Sequence, residues 1–428
     1  MKVIAFTLGI GFVIAGCIVQ GVAAPDRTAA TCYAKSEFAS VDGCSSALRG
    51  RIKDQSLFTT MRMSGQDRYY SAPGTQSDHP VPFSAAGVDY GVGNVDSDIA
   101  AQGGYKTPGV SELPAGATLD SVNHVITLRF TGSDITLQGW DFTGWTVALI
   151  GSSGGTLHWW NNQWKESDFT NRQTSLRGTG ILRTSVDSCT NIDVRNSEFV
   201  RDVVKYPNAA WEFYIFQNGS GACKPKTSIY YSYFESVTQH AVRIQSSGPT
   251  DVRWNLFKGM GQCGDNNAGL TNPALCAHGN FYVQFATQPE VEVQNLQFNT
   301  MYTDDHSMSA TSQISFFIYG KPEFVIHFKK LIASHNILVS NTNPHHSKVS
   351  GTVAFLTQTM AQGNGSGVID ELEYEGNYTD CTGSYPIGIR LGVVPKVLKE
   401  SGNVNLLTGE TYRPNAFLPA RGNGCKKF

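Results

Sequence analysis

Three groups of side chains in this 428-residue chain combine charge and spacing in ways that suit chemistry. The first is His240 with Arg243, at one end of a short apolar run. The second is Arg201, Asp202 and Lys205, directly after Phe199. The third is Asp304-Asp305-His306. An Arg or Lys can neutralise a carboxylate, and a His or Lys can then remove a proton from the carbon beside it. That is the chemistry of β-elimination, so His240, Arg243, Arg201 and Lys205 form the expected catalytic set. Asp202, Asp304 and Asp305 offer oxygens of the kind Ca²⁺ takes, and Ca²⁺ is the one cofactor considered. A glycosidase would need two carboxylates flanking one bond, about 5 to 9.5 Å apart. Asp304 and Asp305 are adjacent, so that reading needs a partner such as Asp202. The competing readings are plain: a salt-bridged pair at His240 and Arg243, and a polar turn at Asp304–His306.

These groups sit in a chain organised by a recurring pattern. An apolar residue is followed by two free positions, usually Asn or Ser, one free position and a large apolar residue. It begins at Leu137, Trp159, Val194, Ile229, Val252, Val293 and Ala333, giving spacings of 22, 35, 35, 23, 41 and 40 residues. Such a period indicates a solenoid, propeller or array. Each recurrence has a second strand-like run before it, such as Val147–Ile150, Phe213–Phe216 or Ala241–Ile244. Two strands and tight turns per ~22 residues fit one coil of a parallel β-helix. The recurring Asn or Ser is expected inside, stacked on its neighbours in a ladder. Asn162, Ser197 and Asn255 are the test positions. Ile150-Gly-Ser-Ser-Gly-Gly-Thr156 and Ile244-Gln-Ser-Ser-Gly-Pro-Thr250 mark equivalent turns.

The rung Gln239-His-Ala-Val-Arg-Ile-Gln-Ser-Ser-Gly248 followed by Val252-Arg-Trp-Asn-Leu-Phe257 resembles the secreted right-handed parallel β-helix proteins of the pectate-lyase-like kind. The resemblance covers roughly residues 120 to 400. The pectate lyases' Trp-Ile-Asp-His strand and Arg-x-Pro-x-x-Arg segment are missing, as are the Asp pairs and Gly-His-Gly of the galacturonan hydrolases. What the resemblance implies is an all-β, right-handed parallel β-helix facing carbohydrate, with no catalytic residues assigned. An acidic polysaccharide is the expected partner, cleaved by β-elimination. A hydrolase and a non-catalytic carbohydrate-binding solenoid stay open.

The expected domains are a signal peptide at 1–23, an N-terminal extension and cap at 24–117, the coils at 118–400 and a C-terminal cap at 401–428. Met1-Lys2 and the apolar run Val3–Ala24 read as an export signal. Cys17 within Ile14-Ala-Gly-Cys17 also fits a lipoprotein processing box, so secreted or periplasmic and lipid-anchored forms are both open. Apart from Cys17, eight Cys remain: Cys32, Cys44, Cys189, Cys223, Cys263, Cys276, Cys381 and Cys425. In an exported chain they are expected in disulfides: proximity suggests Cys32–Cys44 and Cys263–Cys276, Cys189–Cys223 and Cys381–Cys425 would complete the set, and the connectivity stays open. Insertions at Lys165–Ser188, Val200–Lys226, Lys258–Glu290 and Asn299–Glu323 follow one position of the repeat. They would emerge on one side and carry Trp211, Tyr206, Tyr282 and Tyr302 as platforms for sugar rings. A net charge of −2 without a basic stripe argues against nucleic acid. No membrane span is expected after signal removal, and a monomer is expected.

Overall fold

The computed structural model describes residues 92–94, 96–167, 179–201, 212–219, 223–237, 239–260, 279–302, 312–318, 325–339, 353–359, 366–379, 389–405, 411–414 and 425–427. Among them the protein is almost entirely β, with one short helix at Asp96–Ala101. Three sheets dominate. The first runs from Val125–Arg129 through strands such as Thr179–Thr184, Glu212–Gln217 and His240–Ile244 to Ile389–Leu391. The second runs from Ile135–Gln138 through Thr156–Trp160, Asn191–Arg195, Thr227–Tyr230 and Thr250–Arg253 to Pro395–Ser401. The third is built of shorter strands, from Gln163–Lys165 to Val404–Asn405. The chain visits the sheets in rotation, and each new strand pairs parallel to its predecessor in that sheet. An antiparallel strand, Ala117–Asp120, starts the first sheet, so this edge is not parallel.

The sequence reading expected two strands per circuit; there are three. The recurring pattern is itself a strand, a corner and a second strand. Ile229-Tyr230 ends a second-sheet strand, Tyr231-Ser232 turns the corner, and Tyr233 opens a third-sheet strand. The cause is local. The residue before each recurring Asn or Ser has a left-handed backbone, as at Asn161 (φ 56°), Asn196 (47°), Tyr231 (51°), Trp254 (58°), Phe298 (54°) and His335 (55°). One left-handed residue breaks the extended run and aims the next side chain inward.

That side chain then holds the stack together. The Asn162 N–H donates to Ser197 Oγ (3.2 Å), Ser197 to Ser232 Oγ (3.2 Å) and Ser232 to Asn255 Oδ1 (2.9 Å). From Asn255 onward both backbone N–H and side-chain Nδ2 donate to the next Oδ1, through Asn299, Asn336, Asn377 and Asn403. All eight residues are fully buried. Corner amides that water cannot reach are thereby satisfied, at a site where a lost partner costs about 1–3 kcal/mol. Asn162, Ser197 and Asn255 stand where the sequence expected them. Asn377 heads a glycosylation sequon, but its amide is occupied in this ladder. Beside the ladder, Phe142, Trp159, Phe199, Phe234 and Phe257 stack through the core at centroid spacings of 4.4, 6.2, 5.1 and 4.7 Å.

The connections from Lys165 to Thr179, Val200 to Glu212, Met260 to Asn280 and Tyr302 to Ser312 lead from the third sheet back to the first, which fits insertions at one position of the repeat. The expected ranges were too wide, because each contains a first-sheet strand: Thr179–Thr184, Glu212–Gln217, Asn280–Ala286 and Ser312–Ile318. Before the first strand, the Gly93 N–H donates to Tyr231 O (2.8 Å) and Gln102 Nε2 to Gly139 O (2.9 Å). The described N-terminal segment thus lies along the corner between second and third sheets. Parallel pairing continues to Val404–Asn405, past the expected boundary at 400.

Candidate functional site

The expected catalytic residues do not converge on open surface. Arg201 is buried, its Nε 2.6 Å from Glu166 Oε2, with side chains only 2% and 0% exposed. It is committed to the interior and not to a ligand. His240 and Arg243 do share the outer face of the first sheet. Strict alternation fails there, because consecutive Ala241 and Val242 both enter the core. The His240 ring is 1% exposed and lies against Phe213 at 5.3 Å. The Arg243 guanidinium sits over Phe213, Phe216 and Phe285, at 4.7, 5.2 and 4.5 Å. Val283 and Phe317 on the same face are also buried, so this layer is packed.

Tyr282 is not a sugar platform. It is fully buried, with its hydroxyl donating to Gln294 Oε1 (2.8 Å) beside Thr250 Oγ1 (3.2 Å), and burial pushes its pKa up. Tyr302 ends the third-sheet strand Thr300–Tyr302. Asp202, Lys205, Tyr206, Trp211, Asp304 and Asp305 lie outside the described residues. Cys189–Cys223 is a disulfide that ties two successive circuits, as expected. Cys425 lies in the strand Cys425–Lys427, and Cys32, Cys44, Cys263, Cys276 and Cys381 lie outside the described residues. Among the described residues no cluster of His, Cys, Asp and Glu could hold a metal ion, so the expected Ca²⁺ site is not found there.

A different surface does gather polar chemistry. The outer face of the second sheet carries a groove of about 390 Å³ over the strands Thr156–Trp160, Asn191–Arg195, Thr227–Tyr230 and Thr250–Arg253. Alternation holds on these strands. Ile192, Val194, Ile229 and Val252 fill the core, leaving Asp193, Arg195, Ser228, Tyr230, Asp251 and Arg253 outside.

The lining is built from one unit used twice. In the first copy Asp193 accepts from Trp160 Nε1 (3.0 Å) and Arg195 Nε (3.0 Å), and the Arg195 guanidinium lies 5.2 Å from the Trp160 ring. In the second, Asp251 accepts from the Tyr230 hydroxyl (2.6 Å) and pairs with Arg253 at 2.6 and 2.7 Å. Arg253 lies 5.4 Å from the Tyr230 ring. In both units an Asp and Arg two apart on one strand grip an aromatic residue from the circuit before. Parallel pairing makes this automatic once the tripeptide Asp-Val-Arg repeats in register. His158 completes the first copy, its Nδ1 3.1 Å from Asp193 Oδ2 and its Nε2 3.6 Å from Asp134.

Burial, and then the Asp251 charge, push the Tyr230 hydroxyl up to about 12, so it keeps its proton at neutral pH. Burial works against the Arg253 cation, but Asp251 and Tyr230 outweigh it and the net shift is upward. Lys226, directly before the strand Thr227–Tyr230, also lines the groove and is exposed.

The sequence held a signal for this site. Asp193-Val-Arg195 and Asp251-Val-Arg253 are identical tripeptides, each beginning one residue before a recognised recurrence. Aligning the pattern from Val194 and Val252 left their Asp outside it. No helix among the described residues is long and apolar enough to cross a membrane. No family model matches this chain, and neither a curated protein nor a solved structure matches it.

Proposed function

We propose that this is an exported right-handed parallel β-helix of the pectate-lyase-like kind that cleaves an acidic polysaccharide by β-elimination in the second-sheet groove. Right-handedness is the rule for parallel strands joined by crossovers, and the three-sheet rotation supports a helix. The disulfide Cys189–Cys223 supports export. The observation that carries the activity is a His–Asp couple in a cation-lined groove.

In this reading Asp193 orients His158. With the His158 proton on Nδ1 toward Asp193, Nε2 is the basic nitrogen. It takes the C5 proton of a uronate whose carboxylate is held by cationic groups. The released electron pair forms the C4–C5 double bond, the C4–O bond breaks, and the leaving oxygen takes its proton from solvent water. A hydrolase, which uses Asp193 and Asp251 as its carboxylate pair, fits less well. Both already accept from an Arg, whereas a hydrolase must present a carboxylic proton.

One observation favours a second reading, binding without cleavage: Arg195 and Arg253 are each already paired with an Asp. A panel of uronate-containing and neutral polysaccharides separates the readings. New ultraviolet absorbance of an unsaturated uronate together with new reducing ends means a lyase. Reducing ends alone mean a hydrolase, and binding with neither means a binding solenoid. If the lyase reading is right, His158→Ala lowers turnover by about a hundredfold or more.

A further inference from the structure

The charges lining the groove do not all have the same freedom. Arg195 is paired with Asp193, and Arg253 with Asp251. Each pair cancels its own charge, and each guanidinium is further occupied by an aromatic face. Of the lining cations Lys226 is different. Its side chain is exposed, and among the described residues no carboxylate pairs with it. Its backbone is fixed nonetheless: its N–H donates to Asn191 Oδ1 (2.7 Å), and its carbonyl accepts from the Ile192 N–H (2.9 Å). Lys226 therefore projects a solvated charge from a held position, just before the strand Thr227–Tyr230, which lies beside the Asp193–Arg195 strand and carries the aromatic residue of the second unit.

We propose that Lys226 is the residue that reads ligand charge, taking one carboxylate or sulfate group of a saccharide chain laid between the two units. This rests on the reading of the groove as a saccharide site. An ammonium on a flexible stem suits a single anionic group of variable geometry. The two paired Arg residues act differently. Tied in place, they present guanidinium and aromatic edges of set position and contribute little net charge. Charge selectivity is thus concentrated in one side chain, while shape selectivity is spread over the units.

The test is calorimetric titration of the full chain with oligouronates, sulfated oligosaccharides and neutral oligosaccharides, each at low and high salt. Lys226→Gln is expected to weaken anionic binding tenfold or more and to flatten its salt dependence, because the screened pair is gone. Neutral-sugar binding should not change. Lys226→Arg should restore most of the anionic affinity. Lys224→Gln serves as the control, since Lys224 is already tied to Glu292 and Glu290 outside the groove. The uronate and sulfate arms say which anion is taken. Wild-type binding of anionic sugars that Lys226→Gln leaves untouched would overturn this inference and leave the groove reading standing. Wild-type failure to bind any saccharide would overturn both.

Discussion

The outer face of the second sheet has two halves built on the same backbone and used differently. Toward the N-terminus, four strands carry Asp, Arg and aromatic residues that bury one another and enclose a groove. Toward the C-terminus the same face is a lattice of exposed Lys and carboxylates. Lys329 pairs with Glu292, Lys330 with Glu371 and Glu373, Lys396 with Asp370, and Lys399 with Glu371. Register and core are alike in the two halves; the difference lies in what faces water. Exposed Lys–Glu pairs contribute little each and discourage association along a sheet face. Partly buried Asp–Arg–aromatic units hold a fixed shape, which binding requires.

The sharpest attack on the comparison goes beneath both halves. Asn255→Ala in the groove half and Asn336→Ala in the lattice half should each cost about 2–4 kcal/mol in urea unfolding, since each strands buried corner amides. Equal losses mean one continuous frame. A loss in one half alone would mean that the halves differ inside as well as outside.

At the surface the halves should part. Asp251→Ala leaves Arg253 and the Tyr230 hydroxyl without their acceptor, at about 2 kcal/mol. Glu292→Ala removes a partner from Lys224 and Lys329 but should cost under about 1 kcal/mol.

The pH responses should differ at the acid end. At the alkaline end both halves lose stability, since Glu292 and Glu290 hold Lys224 above the ordinary Lys range and, although burial works against the cation, Glu373 and Glu371 do the same for Lys330. Tyr230 has a raised folded pKa of about 12, so its contribution is present below the ordinary Tyr value of about 10 and is lost as pH rises through about 12. Tyr230→Phe should flatten the alkaline limb of a melting curve, leaving the parts due to Tyr282, Lys224 and Lys330. Glu292 is held low by Lys224 and Lys329, and Glu371 by Lys399 and Lys330. Their contribution is present above the ordinary Glu range and fades as pH falls through the depressed values.

The smallest effect is expected at the corner. Trp254 occupies a left-handed position and stacks between Tyr231 and Phe298, at 5.1 and 6.3 Å. Trp254→Gly relieves the backbone and loses the stacking, so the change should stay within about 1 kcal/mol either way.

The parts legible in sequence were those enforced by a single residue type. The inward Asn had to recur because each corner has amides to satisfy, and Asn162 and Asn255 announced it; the recurrence counted from Val293 was three residues out of register, since Leu296 is the partner of Val252, and so Asn299 was missed. The third sheet was hidden because three-residue strands such as Glu198–Val200 carry no periodicity of their own. The corners were hidden because Tyr231, Trp254 and Phe298 are not residues that favour a left-handed backbone. His240 and Arg243 looked promising as charged residues on one strand, and the sequence did not show that Phe213, Phe216 and Phe285 pack against them. The groove depends on residues up to 97 positions apart in the chain, from Thr156 through Arg195 to Arg253, and only register brings them together.

The central claim is that the groove half, and not the lattice half, meets the polysaccharide. Chemical acetylation of lysines, read by mass spectrometry with and without saturating polyuronate, tests it directly. Protection of Lys226, with Lys330, Lys396 and Lys399 labelled as before, is the predicted result. Protection of those three with Lys226 still freely labelled would contradict the account.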